Sequence, residues 1–583
     1  MPPHFPAPGS TFFPGTALPK LFTQHGLFPH GNIQVTSGTP NQARSESIIA
    51  VNPRDRNNLI AASKKFSNPK TYRFTIGVRV SFDGGSDWQD ATLPTLPEWG
   101  DMTGTGGQDG STGMSDPAAA FDDFGNAFMV GEPFKYKGDT GGTGNTIDLF
   151  IYKSTDGGLH WSAPIPLHVG NLGDDADKSW IACDNNPASP HYGNVYVAWG
   201  AEAPLRFARS IDHGANWTGI GREKPGSELA PDIGESEISV GLDGTVHIVW
   251  HKQRGTTIEY RRSTDGGETF EKQKSIVTGV QSLKGHLPEI GDPQISTWPH
   301  FPGATFRVLT LATGCGFGFD PLGNSPFPFF SGPKNFIVAW SDFREGAARI
   351  YYRTSANAGA SFDGPENGQP LIGNPWADPN LHHFHPQIVC TGSGVIGCAY
   401  YEYTYKGEDG PNLIDVKLKA SFDKGKTFVK TITVTENPWD PKIDAPFSHG
   451  DKLVTFIGEY FGLDAHDKGF DVLWTDTRTG VQELFYDRVE TERYDPPDVL
   501  KGIFAQILFG VIQGGDGLVV VNGHIVHIGP RGPEYDLAQA MAALDAAGKI
   551  SGPAGRTLTK NVYDAIGTIA KDAAKSLNVK LVG

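Results

Sequence analysis

The chain has 583 residues, of which 38% are hydrophobic, with 74 Gly, 43 Pro and a formal net charge of −16. Its length allows a large core or several domains, and the Gly and Pro content suits short strands joined by turns better than long helices. No dense Lys/Arg run interrupts the acidic balance, which argues against a nucleic-acid partner because phosphate binding needs a basic face. No stretch of eighteen apolar residues marks a membrane span.

Residues 1–30 read as an N-terminal extension rich in Pro and Phe. The extension lacks a basic start followed by an apolar run, so it is not a conventional signal peptide. Cys183, Cys315, Cys390 and Cys398 show no metal-ligand spacing and are read as buried free thiols, with Cys390 and Cys398 able to sit on neighbouring strands.

From residue 31 to 492 the chain is organised by an internal repeat. The pattern Ser-x-Asp-x-Gly-x-(Thr/Ser)-aromatic begins at Ser81, Ser154, Ser210, Ser263, Ser355 and Ser421. Asp87, His160 and Asn216 stand at the Thr/Ser place in the first three, and Asn357 replaces the Asp in the fifth. An Asp followed by Gly two residues on makes a tight turn, its carboxylate accepting backbone N–H groups while Gly takes a backbone angle other residues resist. Each copy is therefore a turn and not a reactive site. Ahead of each copy the grammar is strand, turn, strand, loop, strand, which makes one four-stranded propeller blade.

Six copies suggest six blades, but a further unit follows the last one: KLVTFIGEYFGL, FDVLWTD and VQELFYDRV. Its fourth strand can come from residues 31–37, GNIQVTS, closing the ring and leaving no open edge. Seven blades are therefore favoured over six. The stretch 299–333 reads as a long loop in blade 5. Residues 493–583 form a small α+β region: Asn522-Gly523 between apolar runs signals a hairpin, and 536–550 and 557–577 read as amphipathic helices. This region offers a surface for assembly and shows no chemistry.

The repeat resembles the Asp box of sialidases and their relatives, also called the bacterial neuraminidase repeat, over roughly residues 40 to 490. The resemblance implies an all-β Asp-box β-propeller with its site on the face away from the boxes. It also implies an extracellular glycoside hydrolase acting on a glycan, most simply an acidic one, with no cofactor. The family holds the sugar carboxylate with three arginines and uses a Tyr nucleophile paired with Glu and an Asp acid/base. Arg44, Arg254 and Arg344 match the arginines, and Glu237 matches the Glu, with Glu235 two residues before it. The family's acid/base Asp falls in the first blade, where residues 64–81 contain no Asp or Glu, so Asp116 is the candidate. The place of the tyrosine reads HHFHPQ, leaving His385, Tyr401 and Tyr460 as candidates.

Further candidates come from the residues themselves. Trp340-Ser-Asp342-Phe-Arg344 and Trp474-Thr-Asp476-Thr-Arg478 repeat one pattern. Their arginines either bind an anion or brace the loop against Asp342 and Asp476. Asp177, Lys178 and Trp180 enter the third blade, where Trp180 either stacks on a sugar or plugs the channel. His383 and His385 would point the same way on a strand and raise a metal question, with exposed loop histidines as the plainer reading and no metal assigned. Hydrolase, non-catalytic glycan- or protein-binding scaffold, and polysaccharide lyase all stay open, the last through His383, His385 and Tyr401.

Overall fold

The computed structural model describes residues 23–494 apart from 38–41, 97–98, 100–111, 138–141, 144–146, 171–174, 201–203, 233, 253–254, 318–334, 373–377 and 429–430, together with 517–521 and 524–528. The chain divides into two units, Pro29–Thr491 and a second made of Met1–Phe28 with Glu492–Gly583. In the second unit, Gly517–Val521 pairs antiparallel with His524–Ile528, Val521 opposite His524, as a two-residue hairpin requires. The turn itself and the two expected helices lie outside the described residues.

The first unit is an all-β propeller of seven antiparallel sheets. The inner strands are Arg44–Val51, Thr112–Phe121, Trp180–Cys183, Ser236–Val240, Ala312–Phe317, Leu381–Cys390 and Gly462–His466, for blades 1 to 7 in order. Blade 7 carries no repeat and takes its outer strand from the other end of the unit: Ile33 pairs with Tyr486 and Gln34 with Phe485. The expected closure thus supplies the seventh blade. In blade 5 the inner strand Ala312–Phe317 lies inside the stretch read as loop. Two Gly and a Cys in ATGCGF hide the strand from propensity. Before it, Glu289–Ile290 and Trp298–Pro299 make a short hairpin.

Hydrophobic burial fastens each blade to the next. Tyr196 and Phe207 of blade 3 pack with Ile248 and Trp250 of blade 4, and Val249 and Tyr260 of blade 4 with Val338 and Trp340 of blade 5. Trp199, Trp250, Trp340 and Trp474 lie within two residues of the ends of equivalent second strands and are fully buried. Each contributes roughly 2–3 kcal/mol by area removed from water.

The repeats form the turns between third and fourth strands of blades 1 to 6, and their geometry is uniform. In blade 4, Ser263 Oγ donates to Asp265 Oδ1 at 2.7 Å and accepts Gly267 N–H at 2.8 Å, while Asp265 Oδ1 accepts Thr269 N–H at 2.9 Å. In blade 5, Asn357 Oδ1 takes the acceptor part, receiving Ser361 N–H at 2.9 Å. The closing Gly is demanded twice over. Gly85 has φ +90° and a Cβ there would meet the Tyr486 ring of blade 7 at 2.2 Å; Gly359 has φ +75° and would meet the Tyr260 hydroxyl of blade 4 at 1.9 Å. Each turn therefore seats on the preceding blade.

Candidate functional site

A third strand ends on the same face as its inner strand, because alternate strands run antiparallel. The repeat turns thus lie where inner strands finish, and the opposite face, where they begin, forms the mouth of the propeller axis. At that beginning, Glu46, Asp116, Lys178 and His385 of blades 1, 2, 3 and 6 all have left-handed backbones, with φ of 52°, 45°, 48° and 47°. The pairing slips beside three of them, between Ser45 and Ile48, Ser115 and Ala118, and Phe384 and Gln387. A bulge with one αL residue turns its side chain out of the strand's alternation at a cost of roughly 1–3 kcal/mol each. Four repetitions aimed at one axis mark a built feature.

Glu46, Asp116 and Lys178 meet partners within and across blades. Lys64, on the second strand of blade 1, forms ion pairs with Glu46 and, at 2.8 Å, with Asp116. Asp116 also accepts Ser115 Oγ–H at 2.5 Å and Lys178 N–H at 3.3 Å. Lys64 and these hydrogen bonds hold the Asp116 carboxyl well below its usual range despite burial. Burial and the nearby Asp116 push Glu46 up to about 8. Lys178 Nζ lies 3.6 Å from Glu237, 4.0 Å from the Trp180 ring centroid and 4.7 Å from that of Tyr460. Arg307, from the segment before blade 5, grips both carboxylate oxygens of Glu459 at 3.1 Å and lies 4.2 Å from the Trp298 ring centroid. Trp298 in turn stacks on His449, which stacks on Tyr72. Glu235 is half-buried at the mouth, and burial with the Glu459 charge pushes its carboxyl up to about 8.

Several sequence-derived candidates lie elsewhere. Arg344 is committed to Asp342, accepting a place over the Tyr351 ring at 4.0 Å, and Asp342 also receives the Trp340 indole N–H at 3.1 Å. Arg478 repeats this with Asp476 at 2.6 Å, the Phe485 ring at 4.5 Å and the Trp474 indole at 3.0 Å. The repeated pattern is thus a loop brace. Arg44 is buried beside Arg79, Asp90 and Glu483, and burial lowers its guanidinium to about 10. Arg254 lies outside the described residues. Tyr401 sits on the second strand of blade 6; its hydroxyl accepts Thr475 N–H at 3.4 Å and its ring packs on Trp439 and Phe461.

The histidines are buried in the inner strand of blade 6 and are not loop residues. The bulge after Phe384 separates the expected pair: His383 bonds Glu402 at 2.9 Å, while His385 sits near Arg307 and Lys178 with neither ring nitrogen partnered. Glu237 accepts Gln387 Nε2–H at 2.9 Å and lines a cavity of about 260 Å³ along the axis, beside Trp180, Cys183, Cys315 and Asp464. Trp180 meets Tyr460 edge-on at 5.9 Å. It therefore stands between mouth and cavity with one face taken by Lys178. All four cysteines are free thiols.

Sequence reasoning missed Lys64, Glu46, Glu132, Arg307 and Glu459. One signal marks four of the mouth residues, Glu46 among them: a charged or His residue followed by Ser or Pro just as an inner strand begins, in Glu46-Ser47, Asp116-Pro117, Lys178-Ser179 and His385-Pro386. Glu132 and Arg307 have no such local mark.

Among the described residues no helix is long and apolar enough to cross a membrane. No family model and no curated protein matches the chain. Solved structures do match. They include a Hadza microbial sialidase (14% identity, TM-score 0.38, 63% of this chain and 66% of that one) and a leech intramolecular trans-sialidase (12%, 0.39, 63% and 66%). An α-L-arabinanase of Penicillium chrysogenum matches at 11% identity and TM-score 0.36, over 79% of this chain and 98% of that one. The chain thus spans just under two thirds of the two sialidases' own length.

Proposed function

We propose that the mouth is a glycan-processing site at which Glu235 gives a proton to the leaving oxygen of a glycosidic bond, and that the six repeats are Asp boxes. The carrying observation is Glu235 itself: a half-buried carboxyl pushed up to about 8 on the same face as Asp116, which Lys64 holds charged. Environments that drive two carboxyls apart in this way suit one to act as acid and the other to stay ionised. Asp116 is then the carboxylate of the pair, kept ionised by Lys64 to stabilise the transition state or activate water.

The charges favour a neutral sugar or an amino sugar. Glu46, Asp116, Glu132, Asp177, Glu235, Glu237 and Glu459 outnumber Lys64, Lys178 and Arg307, and each of these cations is already paired. An acidic sugar, the substrate implied by the family resemblance, would need Arg307 to leave Glu459. A non-catalytic binding role is favoured by the depth of Lys64, Asp116 and Glu132, all nearly closed to solvent.

The assay is release of aryl alcohol from neutral hexosides, N-acetylhexosaminides and sialosides. Turnover of a neutral or N-acetylated substrate, lowered about 10²–10⁴-fold by Glu235→Gln, supports the reading. Turnover confined to sialosides overturns the substrate preference. Binding without turnover across the panel overturns the catalytic part.

A further inference from the structure

The mouth holds more carboxyl groups than a proton donor needs. Asp116, Glu132 and Asp177 each bring an oxygen atom into a cluster whose members lie within 4.8 Å of one another. They come from three different strand segments: the bulge of blade 2, the second strand of blade 2 and the entry to blade 3. Lys64 takes Asp116 Oδ1, and Ser179 N–H takes Glu132 Oε1 at 3.1 Å. Glu132 Oε2 is left over. Glu132 is 1% exposed, and that oxygen has no hydrogen-bond partner among protein groups. A buried carboxylate oxygen without a donor is costly and calls for an occupant. Asp177 Oδ1 accepts Lys178 N–H at 3.0 Å, and the Asp177 carboxyl also reaches the Asp116 carboxyl by a hydrogen bond, from the side only partly closed to solvent.

We propose that Asp116, Glu132 and Asp177 bind a hard divalent cation of the calcium class at the mouth. All ligands are oxygen, which suits Ca²⁺ or Mg²⁺ over thiophilic metals. The separations fit Ca–O bonds of roughly 2.3–2.6 Å, and Ca²⁺ accepts the irregular geometry of carboxylates fixed on three strand segments where Mg²⁺ demands a near-ideal octahedron. Asp177, on the open side, admits the ion and the remaining water ligands. Burial and mutual repulsion now raise the carboxyls of Glu132 and Asp177 well above their usual range, and a cation relieves both. The inference stands apart from glycoside cleavage, because its readout is binding.

The test uses the full chain stripped with EDTA and titrated with CaCl₂ or MgCl₂ while unfolding temperature is followed, with Tb³⁺ luminescence excited through tryptophan as a second readout. The expected result is saturable 1:1 binding, with a rise in Tm larger for Ca²⁺ than for Mg²⁺. Affinity should fall at least about tenfold in Asp177→Asn and in Glu132→Gln. Asp177 is half-exposed, so its variant is informative even if the Glu132 variant fails to fold. No Ca²⁺-dependent change in either readout overturns the site, as does binding that survives Asp177→Asn undiminished.

Discussion

The two faces of the propeller follow opposite rules. On the repeat face the Ser and the Asp or Asn of each copy bond their own turn, so one solution recurs six times with hydrogen bonds between 2.7 and 3.0 Å. At the mouth, equivalent αL positions carry Glu46, Asp116, Lys178 and His385, and Asp116 and Lys178 find their ion-pair partners, Lys64 and Glu237, on other blades. Local bonding lets a pattern be copied; bonding across the axis forces each position to answer its neighbours. The difference also divides the energetics. A repeat turn is built from modest, part-exposed hydrogen bonds, whereas the mouth is a buried charge network whose members depend on one another.

Substitutions can break that contrast, and the largest effect is expected at Lys64. Lys64→Met leaves Glu46 and Asp116 buried without their cation and should cost about 3–5 kcal/mol, read as a shift in denaturant midpoint. Next is Arg307→Met, which strands Glu459 and should cost at least about 2 kcal/mol; Arg344→Met, on a half-open loop brace, should cost less than half as much. Equal losses for the two arginines would erase the distinction between mouth and brace. On the repeat face, Asp265→Ala should cost about 1–2 kcal/mol. Asp265→Asn should stay within about 0.5 kcal/mol, because Asn357 already performs that part in blade 5.

The pH dependence separates the faces by sign. Asp464 on the axis, Glu46 and Glu235 have carboxyls pushed up by burial to about 7, 8 and 8. Raised folded values mean the folded state holds protons longer than the unfolded chain. Their contribution is complete below the ordinary carboxyl range and is lost as pH rises through about 7 to 8. For the repeat carboxylates Asp156, Asp212, Asp265 and Asp423 burial acts upward, but the hydrogen bonds within the turn together outweigh it and shift them down, so they contribute in the reverse sense, losing their part as the solution becomes acid. Asp464→Asn should remove the part of the alkaline decline that ends near pH 7, followed by thermal unfolding across pH 4 to 9.

The repeats, the blade grammar and the closing strand were legible in sequence because each is written in contiguous residues. Blade number followed from KLVTFIGEYFGL and its two partners without a seventh repeat. The inner strand of blade 5 was not legible, since Gly314 and Gly316 pack against neighbouring strands and give no hydrophobic alternation. At the site, Asp116, Glu237, Trp180 and His385 were found because they sit at strand entries. For Arg344 and Arg478 the sequence leaves anion binding and loop bracing open, because their commitment to Asp342 and Asp476 depends on how the loop folds back. Lys64, Glu132 and Arg307 carry no local signal; only the ring brings them to the axis.

The central claim is that the mouth, with Glu235 as proton donor, cleaves a glycosidic bond. Its most direct test is the pH–rate profile of the full chain on the best substrate of the aryl glycoside panel, beside Glu235→Gln. The account expects kcat/KM to fall as pH rises through about 8, with the variant losing about 10²-fold or more and losing that alkaline limb. A variant with undiminished turnover, or one that keeps the same alkaline limb, contradicts it.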